Sequence, residues 1–442
     1  MSGNFPNWKR YLSPRFLASK VQENGVVWCL RMGFLKFLRV ILRPIIMGAF
    51  FIPSYVLRIA SIRFLTIRYL YSIGHLAAEP CCYLKEQFMG AHPKYLVIML
   101  APSNKVANRC LLEYWRKYFK IITSPTLCLL LYPLSEQKIL KCDIEQYVMN
   151  DHEEALIYEV NNKWVGRPPL LSLSESDRER GWRCLQDLGI PEGAWYVCIH
   201  CREPGNRPQD KSHVHRDVDI YTYFLAMKAI VDRGGWCIRL GDTAMKPLPP
   251  MHNVIDYAHL GVKSDWMDVF LCASGRFLLG SNSGLSVLVS VFGIPCALAN
   301  IIPLSVLPVQ DTDIGIPKLL WSNAEQRYLT FREVLDSPMS KANFFGDMYE
   351  KADIKIVDNS PEEIRDLALE MLDRVEGRTT YTSDDERLQQ KFKLLLKPGH
   401  YGYRASSRLC SSFLRKYEIL LPEEDKKEYL SPGTSSENAR YS

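Results

Sequence analysis

Apolar residues in this chain alternate between two patterns: short, nearly continuous runs, and longer stretches in which apolar positions recur every three or four residues. The first pattern predicts strands buried on both faces and the second predicts helices. From residue 196 the series reads strand Tyr196 to His200, helix Ile220 to Asp232, strand Trp236 to Leu240, strand Val254 to Tyr257 and helix Asp265 to Ala273. Strand Phe277 to Leu279, helix Leu285 to Phe292 and strand Cys296 to Ala299 complete it. Such a series folds as a doubly wound parallel sheet covered by helices on both faces. The first half is sparser, with strands over Phe64 to Tyr71 and Lys94 to Leu100, a helix over Asn104 to Tyr118 and a buried strand over Thr126 to Tyr132.

Punctuation places the boundaries. Trp164 to Leu173, which holds Pro168 and Pro169, reads as a connection between domains, and Ser174 starts a helix that Gly189 stops. Late helices are expected over Pro361 to Val375, Asp384 to Leu396 and Ser406 to Leu421. The expected division is an arm (1–62), an N-terminal α/β domain (63–165), a C-terminal α/β domain (166–400), a helix (401–421) and a polar, disordered tail (422–442).

Charge changes the picture at one end. Residues 1 to 72 carry eleven Lys or Arg against the single Glu23, a net +10 that leaves −4 for the rest of a chain whose total is +6. Basic and apolar residues mix there up to Pro44, and Pro44 to Leu57 has no charge, which suits a basic amphipathic segment lying on an anionic membrane surface. At 14 residues with Pro53 inside, that stretch is short of the roughly 20 needed to span a bilayer. A nucleic-acid partner fits less well, because the aromatics of the arm sit among aliphatics. Thirteen scattered cysteines form no spaced framework and point to reduced thiols in the cytosol.

The densest candidate chemistry is Gly280-Ser281-Asn282-Ser283-Gly284, between a strand and a helix. Small residues at a helix start let an anion approach the free amides, so this turn is a candidate phosphate pocket. His200-Cys201-Arg202-Glu203 ends the neighbouring strand, and Arg202 is the nearest cation for such a phosphate, unless it pairs with Glu203. Arg239 lies inside an apolar strand followed by Gly241-Asp242. It either contacts a ligand together with Asp242 or is neutralised by it. Asp217-Val218-Asp219 and Asp311-Thr312-Asp313 are D-x-D triplets, but the first reads as a helix cap and no metal site is expected. In the first half, Gly74-His75 follows a strand and opens a helix, in the mirror position to the pocket, where a histidine is suited to take a proton from an attacking hydroxyl or else caps its own turn.

Tyr196 to Pro303, with the blocks HCREPG (200–205), HRDVD (215–219), IRLGD (238–242), DYA (256–258), SDWMD (264–268) and GSNSG (280–284), resembles a family of bacterial glycosyltransferases of surface-polysaccharide biosynthesis. IGHLA (73–77) and PSN (102–104) look like its N-terminal half, so the likeness runs over about residues 63 to 420. The resemblance implies the GT-B architecture of two facing Rossmann-like domains, with acceptor in the first and nucleotide-sugar donor in the second, and no essential metal or resident cofactor. More distantly, His200-x-Arg202 is similar to the His-x-Arg block of O-fucosyltransferase-like enzymes. Glu203-Pro204-Gly205 replaces the second basic residue and acid of that block, which argues against GDP-fucose.

On this reading His200, Arg202, Arg239, Gly241, Asp242, Gly280, Ser281, Asn282, Ser283 and Gly284 form the donor site, and His75 or Glu203 is the base. The expected partners are a nucleotide-sugar and a polysaccharide or lipid-linked acceptor, with the protein peripheral on the cytoplasmic face of the membrane. A nucleotide-sugar epimerase or hydrolase, and a non-catalytic scaffold of a polysaccharide assembly complex, are the alternatives the residues leave open.

Overall fold

A computed structural model describes residues 48–147, 155–203, 211–341 and 346–422. Most of the basic arm and nearly all of the polar tail lie outside these. By contacts the chain divides into two compact units, each assembled from separate segments. One takes Met1–Thr66, Lys94–Asn104 and Tyr118–Asp143, and the other takes Ile67–Pro93, Lys105–Lys117 and Ile144–Ser442.

The first unit holds a three-stranded parallel sheet in the order β1-β2-β3: β1 (Ile62–Leu65), β2 (Leu96–Leu100) and β3 (Lys120–Ile122). Ile62, Phe64, Ile98, Leu100 and Ile122 pack on Leu57 of the helix Phe51–Ile59 and on Cys128, Leu131 and Leu134 of the helix Pro125–Ser135. The strand expected over Thr126 to Tyr132 is therefore a helix. Ser124 caps it by accepting the Leu127 amide, and Pro125 occupies the first turn, where a missing N–H costs nothing. The unbroken apolar run could not separate the two states, because it has neither period. β1 also stops at Leu65, short of the Tyr71 expected.

The second unit is built on β4 (Tyr196–His200), β5 (Trp236–Arg239), β6 (Val254–Ile255), β7 (Leu278–Gly280), β8 (Cys296–Ile301) and β9 (Ile314–Pro317). A separate antiparallel sheet follows, of β10 (Leu319–Ser322), β11 (Arg327–Tyr328) and β12 (Ile354–Val357). Near the end of the described chain, β13 (Arg408–Leu409) joins the large sheet, whose order is β13-β9-β8-β7-β4-β5-β6, parallel throughout. Counted from β4, the six main strands have the 3-2-1-4-5-6 order of the Rossmann fold.

Helix Phe224–Asp232 packs with Pro361–Val375 as one layer on the sheet, and Asp265–Ser274 packs with Gly284–Val291 as another. The expected helix over Asn104 to Tyr118 shrinks to Arg109–Tyr114, capped by Asn108, with a 3-10 turn at Trp115–Lys117. The helix expected over Ser406 to Leu421 breaks into β13 and Ser411–Lys416. The break arises because Leu409 and Cys410 direct their amides to Gln389 and Gly315. Those partners are tertiary and invisible to local periodicity.

Candidate functional site

β4 and β7 are neighbours whose chains leave the sheet for opposite halves of it, so the crevice of the Rossmann order opens where His200 faces Gly280. A Cβ on Gly280 would collide with the His200 carbonyl, and this close approach needs glycine. The two strand ends are then tied together. The Ser281 amide donates to the His200 carbonyl at 3.0 Å, and the Arg202 amide donates to Ser281 Oγ at 3.0 Å. Ser281 is thus buried and its hydroxyl is occupied in fixing the turn. His200 is buried too. Desolvation pushes its imidazole down to about 4, and Nδ1 donates to the Leu240 carbonyl at 3.1 Å, so the ring is neutral at pH 7 and brings no positive charge to the crevice.

The positive charge comes from two arginines. Arg202 donates through Nε to Asp217 at 3.0 Å, so the alternative pairing with Glu203 is not the one made. Arg216 donates through Nη2 to the Asn282 carbonyl at 2.7 Å, while its Nε is buried without a partner. Burial pulls the Arg216 guanidinium down to about 10, with the nearby Arg202 charge acting in the same direction. Lys318, itself buried, donates to the His215 and Asp217 carbonyls at 3.0 Å each and pairs with Asp358, so the backbone on both sides of Arg216 is clamped. Arg216 stands in the quoted HRDVD block, yet sequence reasoning gave it no role. Its partner lies 66 positions away and its clamp more than 100.

Two helix starts converge beside these arginines. Gly284 opens the helix Gly284–Val291 and meets Gly74, in the first turn of the helix Ile73–Phe88. A Cβ on Gly74 would lie 2.9 Å from Gly284 Cα, and one on Gly284 would lie 2.9 Å from the Gly74 nitrogen. Elsewhere in this unit Ser174, Ser264, Thr330, Ser360 and Thr382 cap their helices by accepting an amide. The caps of the two converging helices, Ser72 and Ser283, make no such bond. Ser283 Oγ and Asn282 Oδ1 are buried and have no partner, and Asn282 Nδ2 donates to the Ile302 carbonyl at 3.2 Å. Each helix start presents about half a positive charge, so the pair adds about +1 to the excess cation of Arg202, Arg216 and Asp217. The sum, about +2, matches two ionised phosphoryl groups.

His75 follows Gly74 directly. Its Nδ1 is 2.6 Å from Glu79 Oε1, one turn further along the helix, and its ring packs on Tyr69 with centroids 4.8 Å apart. Glu79 is buried. Desolvation raises its carboxyl while the bond from His75 lowers it. In the neutral tautomer that donates Nδ1–H to that carboxylate, Nε2 carries the lone pair, and the His75 side chain is 27% exposed. Glu79 was not singled out from sequence, although a His-x-x-x-Glu spacing puts both groups on one helix face. The same helix contains Pro80, which cannot bond the Leu76 carbonyl, and the Trp115 indole N–H takes that carbonyl at 2.9 Å.

Arg239 and Glu203 form a separate cluster. Arg239 is 1% exposed and donates to Glu203 Oε2 at 2.7 Å, to Asp256 Oδ1 at 3.0 Å and to the Lys246 carbonyl at 3.1 Å. Asp242 is not its partner. That carboxylate instead accepts the Ala244 amide at 2.8 Å in a turn just beyond Gly241. Burial raises the Glu203 carboxyl, the Arg239 charge opposes the rise, and Oε1 has no partner. In the two D-x-D triplets, Asp217 is held by Arg202, Asp219 caps Tyr221, and the buried Asp313 accepts the Cys296 and Gln310 amides at 2.8 Å each.

No family profile and no curated protein sequence matches the chain. Among solved structures it is similar to the ADP-heptose LPS heptosyltransferase II of E. coli, at 13% identity and a TM-score of 0.36 over 64% of this chain and 96% of that one. It is also similar to a family 9 glycosyl transferase of Veillonella parvula, at 9% identity and a TM-score of 0.34 over 53% and 79% of the two chains. A third is the iron-containing dodecameric glycosyltransferase TibC of enterotoxigenic E. coli, at 14% identity and a TM-score of 0.31 over 54% and 58%. At these scores the likeness decides neither fold nor activity. The strand order and the crevice residues carry the argument instead.

Proposed function

We propose that this chain is a glycosyltransferase that moves a sugar from a nucleotide-sugar to a polysaccharide or lipid-linked acceptor at the cytoplasmic face of a membrane. The observation that carries the reading is the half-buried Arg216 guanidinium, whose Nε is buried and unpartnered, set beside the unpartnered Ser283 hydroxyl where two helix starts meet. Buried polar groups without partners are rare, and these sit at the switch-point crevice of a Rossmann sheet. The donor diphosphate would take the Arg216 and Arg202 guanidiniums, the Ser283 hydroxyl and the amides that begin at Gly284. In the transfer step the acceptor oxygen attacks the anomeric carbon, its proton passes to His75 Nε2, and the bond from that carbon to the phosphate oxygen breaks. The electron pair leaves with the nucleoside diphosphate, whose growing negative charge the two arginines stabilise. Glu203, held by Arg239, is not the base in this scheme, and no resident metal or cofactor takes part.

Calorimetric titration of ADP, UDP and GDP into the protein tests the site. At least one should bind, and Arg216→Ala should weaken that affinity about 10- to 150-fold, the equivalent of a charge-assisted hydrogen bond of about 1.5–3 kcal/mol. If none of the three binds, or the variant binds as tightly as the parent, the donor site is elsewhere.

A further inference from the structure

The small parallel sheet of the first unit is covered on one face by two helices whose outer sides are apolar. Phe51–Ile59 presents Phe51, Ile52, Tyr55, Val56 and Ile59 to solvent, with Ile52 75% and Ile59 83% exposed. Pro125–Ser135 presents Leu127, Leu129, Leu130 and Tyr132, with Leu129 74% exposed. Both helices pack inward on the same cluster around Phe64 and Leu100, so they share a face of the sheet and turn their apolar sides outward from it. An apolar surface of this kind is uncommon on a monomeric protein and marks an interaction site.

The chemistry of the surface names its occupant. The only charged side chain on either helix is Arg58, and neither helix carries an acid. In the sequence, the 47 residues leading into the first helix hold eight Lys or Arg against Glu23 alone. Tyr55 and Tyr132, each with an apolar ring and a polar tip, suit the boundary between hydrocarbon and headgroups. The helices, of 9 and 11 residues, extend about 14 and 17 Å, half of the ~30 Å hydrocarbon core, so they would lie in the interface and not cross it.

We infer that this two-helix face docks onto the surface of a bilayer containing anionic lipid, with its apolar residues inserted at the headgroup boundary and basic residues against the lipid charge. The inference deepens the membrane placement proposed above and rests on it for the choice of lipid. Vesicle binding needs no nucleotide-sugar, so its failure and a failure of the donor site are read separately.

The test is flotation of the full-length protein with vesicles of phosphatidylcholine and phosphatidylglycerol (7:3) and with phosphatidylcholine alone. The parent should float with the anionic vesicles. Leu129→Glu/Leu130→Glu and Ile52→Glu/Val56→Glu should each lower its apparent affinity at least tenfold with an unchanged melting curve. As a readout that tolerates a folding defect in those variants, the emission of Ile52→Trp should shift to the blue on anionic vesicles and be quenched by brominated lipid. Binding undiminished in both double variants, or no shift of the new tryptophan, overturns the inference in favour of attachment through residues 1–47 alone. A parent that is a dimer without lipid, and that both double variants turn into a monomer, overturns it in favour of a second copy of the chain.

Discussion

His75→Ala is expected to lower kcat for sugar transfer about 10²- to 10⁴-fold, the usual worth of a positioned general base, while nucleoside diphosphate affinity stays within twofold of the parent. The separation follows from position. In the proposed scheme His75 would contribute an imidazole lone pair, whereas the diphosphate would be held by Arg202, Arg216 and the helix starts, which are other groups. Glu79→Gln should give a smaller loss, about 10-fold, because the ring remains in place but the group that fixes its tautomer no longer carries charge. A joint loss of nucleotide affinity and turnover in His75→Ala would make the dyad a structural support of the helix start. An unchanged kcat would remove it from the reaction.

Arg239→Met is expected to destabilise the second unit by about 3–5 kcal/mol, because the buried Glu203 carboxylate would lose its cation and Asp256 would keep only His259 and the Leu248 amide. In a thermal scan this amounts to a midpoint lower by about 5–10 °C. Adding Glu203→Gln should restore part of the loss, since it removes the buried charge left without a partner. This experiment separates the two roles that sequence leaves open for Arg239. A ligand-binding arginine would lose nucleotide affinity with its melting curve intact, and a buried ion-pair centre would do the reverse.

What could be read from the chain beforehand follows the range of the interactions. The strands Tyr196 to His200 and Trp236 to Leu240 and the helix Pro361 to Val375 rest on local pattern and capping, and they stand where periodicity puts them, within a residue. The turn from Gly280 to Gly284 lies between a strand and a helix start as expected for the same reason, since its small residues are written consecutively. Arg216 was not, because its position depends on Lys318, Asn282 and a crevice that exists only once β4 and β7 pair. Ion-pair partners were left open on the same principle. Arg202 lies beside Glu203 in sequence, but successive residues at a strand end point different ways, and Asp217 and Arg239 take the two charges apart. The helix Pro125–Ser135 was hidden by its own composition, since an apolar run without alternation fits either a buried strand or a helix lying under lipid or protein.

The contact between Gly74 and Gly284 also constrains how the chain can fold as it is made. The two residues are 210 positions apart, so the start of the helix Ile73–Phe88 leaves the ribosome roughly 10–40 s before its docking partner exists. During that interval Leu76, Ala77 and Leu84, all buried in the finished protein, lack that support and are open to chaperones. A long-range closure of this kind makes the crevice beside Gly284 a late feature to form. On the proposed function, the chain should therefore become competent to bind a nucleotide-sugar only after synthesis has passed the middle of the large sheet.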